Sequence, residues 1–184
     1  MLRELCARFF LFLQNFRLYR AFGRRLARKR IRCCTANAGH AHGLSQLFGY
    51  EEWNYQGPGH RLVATLAGHI VGIVTIICFD GEALLYPGWW ISSLSVRAQY
   101  RGLGIGEQLV RKALQDAALA GATRVNLVVS EENGRAISLY QRVGLELHSI
   151  PGLDAQLEEG FRNTGKRKII MSILISNFLH SNGK

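Results

Sequence analysis

Hydrophobic and polar positions alternate with several different periods along the 184-residue chain, and each period predicts a different element. Short apolar runs bounded by turn residues predict strands, whereas apolar residues spaced by three and four predict helices. The predicted strands are 31–35, 61–66, 70–79, 89–96, 124–129, 145–150 and 168–175. The predicted helices are 43–49, one that follows the glycine-rich segment 102–106, and a short one through 136–140. This order predicts an α/β fold in which helices flank a mixed, mostly antiparallel central sheet.

The first thirty residues follow a pattern of their own. Apolar side chains recur at steps of three and four from Leu2 to Leu26, which predicts an amphipathic helix. Residues 1–32 hold ten Lys and Arg and a single acid, Glu4, so they carry most of the formal net charge of +10. We therefore divide the chain into a basic helical extension, 1–30, and one domain, 31–184. Such a helix suits an anionic membrane surface, and it suits equally a site on the domain or on a second copy of the chain, which leaves a homodimer open.

The rest of the chain is nearly neutral, and this argues against several classes of partner. A nucleic-acid surface would need a basic patch on the fold itself, so we expect no nucleic acid. No apolar run has the length of a membrane span or the flanks of a signal peptide, so we expect a cytoplasmic protein, with a peripheral place at the inner membrane face left open. Cys33 and Cys34 lie near His40 and His42, but their spacing matches no structural zinc site, and we expect no metal.

The most informative segment is the glycine-rich run from Tyr100 to Leu109, which joins a predicted strand to a predicted helix. Backbone N–H groups at a helix N-terminus lack intrahelical partners and carry the positive end of the helix dipole, so such a junction suits a phosphate group. The glycines fall at every second position, 102, 104 and 106, which fits neither the dinucleotide fingerprint nor the P-loop.

Two motifs carry a resemblance to a known family. Arg101-x-x-Gly104-x-Gly106 resembles the pyrophosphate loop of the GCN5-related N-acetyltransferase (GNAT) family. Further on, Asn133-x-x-Ala136-x-x-Leu139-Tyr140 resembles the second half of that family's site, on the expected strand-to-helix connection. The resemblance runs from about residue 60 to 175 and weakly back to 31.

The resemblance implies an acetyl-CoA-dependent N-acetyltransferase, in which a primary amine attacks the thioester directly. The acceptor is left open among an amino sugar, a small amine and a peptide. The sheet would open beside its central strand, and the cofactor-binding residues implied are Leu94, Ser95, Val96, Arg101, Gly102, Leu103, Gly104, Ile105, Gly106 and Asn133. Tyr140 would act as the general acid that protonates the departing thiolate.

Plainer interpretations stay open for these residues. Gly102 and Gly104 could make only a tight turn, Arg101 could be a solvated surface side chain, and Tyr140 could be a buried aromatic with a satisfied hydroxyl. Gly144 is more simply a helix C-terminal glycine. A non-catalytic acyl-CoA-binding module and a membrane-associated interaction protein remain the alternative functions.

The general base is the least defined part of the site. Some relatives have a glutamate two residues after the position of Asn126, where this chain has Val128. The alternatives are a water held by Ser92, by Ser93 or by a peptide carbonyl, or an acceptor-side residue. The acceptor-side residues considered are Glu51, Glu52 and His60. The aromatic residues Trp53, Tyr55, Tyr86, Trp89 and Trp90 could line the acceptor site or could belong to the core.

Overall fold

The computed structural model describes residues 30–48, 59–79 and 86–182. The basic extension 1–30 lies outside this part of the chain except for Arg30, so the extension and the domain boundary after it stay predictions. Within these ranges, seven strands form one sheet. They are β1 (Arg32–Thr35), β2 (Gly59–Leu66), β3 (His69–Phe79), β4 (Gly88–Val96), β5 (Arg124–Ser130), β6 (Glu146–His148) and β7 (Lys168–Leu174).

Five α-helices accompany the sheet within the described residues. They are α1 (Ala41–Phe48), α2 (Ile105–Leu119), α3 (Gly134–Val143), α4 (Pro151–Thr164) and α5 (Ile175–Asn182). Single 3₁₀ turns precede α1 and α2, at Ala38–His40 and Ala98–Tyr100. None of these described helices is long and apolar enough to cross a membrane.

The strand order is β1-β2-β3-β4-β5-β7-β6. Every neighbouring pair is antiparallel except β4 and β5, which run parallel. The parallel pair is joined by a crossover through α2, as parallel neighbours require. The prediction of a mixed, mostly antiparallel sheet flanked by helices is confirmed.

Helices cover both faces of the sheet, and we name each face by its longest helix. On the α2 face, α2, α3 and α5 pack with the strands into one continuous apolar cluster, to which Leu109, Leu114 and Phe178 contribute at 1% exposure or less. Burial of a side chain of this size stabilises a fold by about 1.5–3 kcal/mol. On the α4 face there are two smaller clusters, one around Leu44 of α1 and one around Leu153 of α4.

The C-terminal third differs most from the sequence prediction. The strand predicted at 145–150 ends at His148, because Pro151 begins α4. A proline fits the first turn of a helix, where its missing N–H has no intrahelical partner. Leu153, Leu157 and Phe161 then recur every four residues along one side of α4. The chain also continues as α5 after β7, which the sequence prediction did not include.

Candidate active site

The sheet opens between its two parallel strands. β4 and β5 are paired only from Trp89 to Ile91, opposite residues 125–127. Beyond that point β4 stays paired with β3 as far as Val96, and β5 stays paired with β7 as far as Ser130. The last five residues of β4 therefore have no partner strand on the β5 side.

A β-bulge accounts for the divergence. The register between β3 and β4 shifts between Thr75 and Ile76, so that Ser92 is the extra residue on β4. A bulge bends its strand and increases the local twist, and this turns the end of β4 away from β5. Nothing in the sequence marks Ser92 as the bulged position.

The backbone of β4 alternates in direction along this opening. The Arg97 N–H donates to the Val71 carbonyl (3.0 Å), so in an antiparallel ladder the residues at 95 and 93 also face β3. The Ser95 carbonyl lies 3.2 Å from where a Cβ on Gly72 would stand, in agreement with this direction. The N–H and C=O groups of Leu94 and Val96 therefore point toward the opening, whereas those of Ser95 are turned toward β3.

The glycine-rich loop closes one end of the opening. Gly102 and Gly104 have φ angles of +81° and +82°, in the left-handed region that only glycine adopts without strain. The first α-helical bond of α2 runs from the Gln108 N–H to the Gly104 carbonyl (3.1 Å). The preceding N–H groups, at 105–107, therefore lie at the helix N-terminus without a bond of this kind. A Cβ added to Gly102 would meet nothing within 4 Å, so the loop surface is accessible at this point.

Leu103, Ile105 and Gly106 turn inward from this loop. The side chains of Leu103 and Ile105 are 6% and 1% exposed and belong to the cluster on the α2 face. A Cβ on Gly106 would approach Leu139 Cδ1 to 2.9 Å, so the absence of a side chain there allows α2 and α3 to pack closely. These residues can offer only backbone N–H groups to a ligand.

Arginine side chains line the outer edge of the loop. Arg101 is exposed, and its Nε donates to the Val96 carbonyl (2.9 Å), which braces the loop against the end of β4. Arg97 lies over the Tyr100 ring, 5.8 Å from its centroid. Glu107, the acid in the first turn of α2, has its carboxylate oxygen atoms 3.2 Å from Arg111 Nε and 4.0 Å from Arg142 Nε. Both arginines offset the negative charge near the helix N-terminus.

Asn133 begins α3, as its position in the motif predicts. Its Oδ1 accepts a hydrogen bond from the Ala136 N–H (3.2 Å), which makes Asn133 the N-cap of the helix. The side chain is exposed, and its Nδ2 group remains to donate to a ligand. At the other end, Gly144 has a φ of +101° and caps α3, so the structural interpretation of Gly144 is confirmed.

Tyr140 lies on α3, on the α2 face, and is 7% exposed. Burial raises the pKa of its hydroxyl above the ordinary value of 10.0. α3 runs antiparallel to β5. The seven helical residues from Asn133 to Tyr140 span about 10 Å, and the three strand residues from Ser130 back to Leu127 span about the same distance. Tyr140 is therefore roughly level with Leu127, where the pairing of β4 and β5 ends. No partner of the Tyr140 hydroxyl is found within the described residues.

The residues considered as bases lie at separate places in the fold. His60 lies on the α2 face, where its Nε2 is 2.9 Å from Asp116 Oδ2 of α2, and Asp116 also binds Lys112 (2.5 Å). His60, one of the alternatives for the base, is thus bound to Asp116 in this structure, and its role stays a prediction. Glu51 and Glu52 lie outside the described residues. Val128 is 37% exposed on β5, and Ser92 is exposed at the opening.

The aromatic residues do not form one wall. Trp89 and Trp90 alternate along β4, so Trp89 packs against the cluster on the α2 face and Trp90 against the α4 cluster. Trp90 is 5% exposed, and its Nε1 donates to the Tyr86 carbonyl (3.0 Å). The core interpretation holds for Trp90. Trp53 and Tyr55 lie outside the described residues.

Two polar residues that the sequence did not single out are buried on the α4 face. Thr75 is 1% exposed and Asn126 is 5% exposed, yet neither Thr75 Oγ1 nor Asn126 Oδ1 has a hydrogen-bond partner among the residues that the structure describes. Buried polar atoms are nearly always paired in folded proteins. Within the described part of the chain, no three His, Cys, Asp or Glu side chains are grouped as a metal site would require.

Comparison with known proteins places this geometry in a family. Residues 24–145, more than half of the chain, match the model of the acetyltransferase (GNAT) family. The chain is 36% identical over 84 residues to N-acetyltransferase family 8 member 3 of Rattus norvegicus, covering 46% of this chain and 37% of that protein. It is 34% identical over 95 residues to the streptothricin acetyltransferase of Streptomyces lavendulae, covering 50% and 49%. The chain thus spans about half, or less, of the length of these curated relatives.

Solved structures share the fold at low sequence identity. A nourseothricin acetyltransferase matches 79% of this chain and 99% of its own, with a TM-score of 0.61 and 20% identity. The spermidine N-acetyltransferase of Vibrio cholerae, solved in complex with CoA and spermine, matches 82% of this chain and 99% of its own, with a TM-score of 0.61 and 16% identity. Both comparisons support the architecture described above.

Proposed function

Because this chain belongs to the acetyltransferase (GNAT) family, we propose that it transfers an acetyl group from acetyl-CoA to a primary amine. The observation that supports the proposal is that the opening between β4 and β5 and the glycine-rich loop before α2 lie next to each other. The opening between β4 and β5 leads to a helix N-terminus whose loop contains two left-handed glycines. An elongated ligand with an anionic end and an amide-bearing arm matches both.

The residues around the opening have matching roles in this proposal. The N–H groups at the start of α2 and the open surface at Gly102 receive the pyrophosphate. The backbone groups of Leu94 and the N–H of Val96 pair with the amides of the pantetheine arm, as a neighbouring strand would. Asn133 Nδ2 donates to the arm from the other side of the opening. The backbone of Ser95 is turned toward β3 and has no direct role.

The two faces of the sheet then serve the two sides of the reaction. The amine approaches from the α4 face, and its nitrogen attacks the thioester carbonyl carbon while the carbon–sulfur bond breaks. Tyr140, from the α2 face, donates its proton to the departing sulfur as the general acid. Its raised pKa keeps that proton on the hydroxyl throughout the neutral range.

The proton of the amine leaves toward the α4 face. Val128 occupies the position where some relatives have a glutamate, and a valine cannot accept a proton. We propose that a water molecule held by Ser92 and Ser93, the polar residues at the bulge, carries the proton to solvent. This assignment fits their exposure at the point where β4 and β5 part.

Calorimetric titration followed by a transfer assay tests the proposed function. We expect the purified chain to bind acetyl-CoA at one saturable site and not to bind NADH. We then expect amine-dependent release of CoA thiol when acetyl-CoA is mixed with a panel of amino sugars, polyamines and peptides. A folded protein that fails to bind acetyl-CoA, or that binds it without thiol release for any acceptor, would contradict the proposal.

A further inference from the structure

The two unpartnered polar residues lie on the same face of the sheet. Thr75 is two residues from both Ile73 and Ile77, which belong to the α1 and α4 clusters, so it shares their face. Asn126 lies between Val125 and Leu127, which face α2, so its own side chain faces the other way. Its cross-strand neighbour Trp90 belongs to the α4 cluster, in agreement.

Both residues flank the point where β4 and β5 part. Thr75 is directly opposite Ser93, just past the bulge on β4. Asn126 precedes Leu127, the last residue of β5 that is paired with β4. The strand spacing of about 4.8 Å and the rise of about 3.3 Å per residue place their Cα atoms about 12 Å apart, on opposite sides of the opening. Ser92, Ser93 and Val128 between them are exposed or half-exposed.

A buried polar oxygen without a partner is costly to the free protein. Such a group loses about 1–3 kcal/mol relative to a paired one. Both oxygen atoms are closed off from solvent in the free protein, so the cost disappears only if an acceptor displaces the neighbouring side chains and supplies the missing hydrogen bond. Asn126 Oδ1 can only accept, and Thr75 Oγ1 can accept or donate, so the matching ligand groups are N–H or O–H.

The charges near Thr75 and Asn126 favour an acceptor that carries hydroxyl groups over an acceptor that carries several ammonium groups. Two of the three carboxylates of α4 are already engaged, because Asp154 Oδ2 accepts from Ser149 Oγ (2.6 Å) and Glu158 Oε2 lies 3.7 Å from Arg167 Nη1. The third, Glu159, is exposed to solvent. A second ammonium group buried beside neutral oxygen atoms would lack a counter-charge and would be disfavoured. A hydroxyl group can bind either oxygen without that cost.

We infer that Thr75 and Asn126 are specificity-determining residues of the acceptor site and accept hydrogen bonds from an amine that carries hydroxyl groups. This inference rests on the proposed function and selects amino sugars among its acceptors. The separation of the two residues suits a ring-sized acceptor, since each hydrogen bond adds about 2.8 Å to the span of the ring. A linear polyamine offers no hydroxyl group to either residue.

The test compares acceptors and two nearly isosteric variants. Thr75→Val and Asn126→Leu remove the unpartnered oxygen atoms, and Thr123→Val and Asn177→Leu make the same changes at exposed positions. We expect the wild type to acetylate glucosamine or an aminoglycoside with a higher kcat/KM than spermidine or a peptide. We expect Thr75→Val and Asn126→Leu each to raise the acceptor KM tenfold or more, with the Kd for acetyl-CoA unchanged.

Thermal unfolding without ligand separates this role from a structural one. Removal of an unpartnered buried oxygen should leave Tm unchanged or raise it, whereas loss of a hydrogen-bonded group, including one bridged by a buried water, should lower it. A lowered Tm with an unchanged acceptor KM would overturn the inference. A wild type that binds acetyl-CoA but acetylates spermidine or the peptide best would overturn the inference and leave the proposed function intact. A wild type that transfers acetyl to no amine would refute both.

Discussion

The two faces of the sheet differ in their apolar clusters and in whether their polar side chains are paired. On the α2 face one continuous apolar cluster runs from α5 through α2 to α3, and the polar side chains at its edge, such as His60 with Asp116, are paired. On the α4 face the apolar contacts of the described residues divide into two small clusters. That face also holds Thr75 and Asn126, whose buried oxygen atoms find no partner in the described part of the chain.

The difference separates a scaffold from a recognition surface. Close packing on the α2 face fixes the loop, the start of α2 and Tyr140 relative to the opening between β4 and β5. A face that carries unpaired buried polar atoms among its described residues is suited to bind a second molecule. In the proposed function, the α2 face serves the cosubstrate and the leaving group, and the α4 face serves the acceptor.

The largest effect is expected at Tyr140, on the α2 face. Tyr140→Phe keeps the ring in the apolar cluster and removes only the hydroxyl, so turnover should fall by about ten- to a thousandfold, in line with loss of a general acid. The Kd for acetyl-CoA should hardly change. Steady-state kinetics and calorimetry on the same preparation measure both quantities. Loss of acetyl-CoA affinity at normal turnover would contradict the role of Tyr140.

A pair of matched glycines tests the loop. Gly102 and Gly121 have φ angles of +81° and +82°, and a Cβ at either would meet nothing within 4 Å. Alanine should therefore cost both positions the same strain, about 1–2 kcal/mol, and lower Tm equally. Only Gly102→Ala should also weaken acetyl-CoA binding, by tenfold or more, because its Cβ obstructs the approach to the backbone. Equal affinities for acetyl-CoA in the two variants would exclude the loop as the pyrophosphate site.

The packing of the α2 face can be tested at Gly106. Gly106→Val places its Cβ against Leu139 Cδ1, so we expect a loss of about 1–3 kcal/mol in the free energy of unfolding. Leu139→Ala should relieve part of that loss, which a double-mutant cycle in urea would register as favourable coupling. If the two effects simply add, the close approach of α2 and α3 is not the reason for a glycine at 106.

The smallest effect is expected at Cys33, at the edge of the α2 face. Burial raises the pKa of its thiol from 9.0 to about 11, and the neighbouring Cys34 adds to the rise. The unfolded chain then ionises at lower pH than the folded one, so stability is retained below pH 9.0 and declines as the pH rises toward 11. Cys33→Val should flatten this decline in Tm by several °C. Parallel melting curves for the wild type and Cys33→Val between these pH values would contradict the assignment.

The sequence predicted those parts of the site that depend on local pattern. The periodic apolar positions of α2 and the glycines before it predicted the loop, and the seven-residue spacing of Asn133 and Tyr140 placed both on α3. α4 was not predicted as a helix, because Gly152 and Gly160 and many charged residues interrupt its apolar pattern, although Pro151 is a helix-start signal.

Features that depend on neighbouring strands could not be predicted. The bulge at Ser92 exists only as a register shift against β3, and no residue type specifies it. Whether the Ser95 backbone faces the opening depends on the same register. Thr75 and Asn126 look like ordinary strand residues until the partners of their side chains are known, since the sequence alone does not show that these partners are absent.

Amide hydrogen exchange with and without acetyl-CoA tests the division between the two faces most directly. We expect acetyl-CoA to slow amide hydrogen exchange at the start of α2, at 105–107, and at Leu94 and Val96 on β4. We expect no change at 93 and 95, which are already bonded to β3, or along α4. Protection confined to α4 and to the β6–β7 edge, with none at 105–107, would contradict the account.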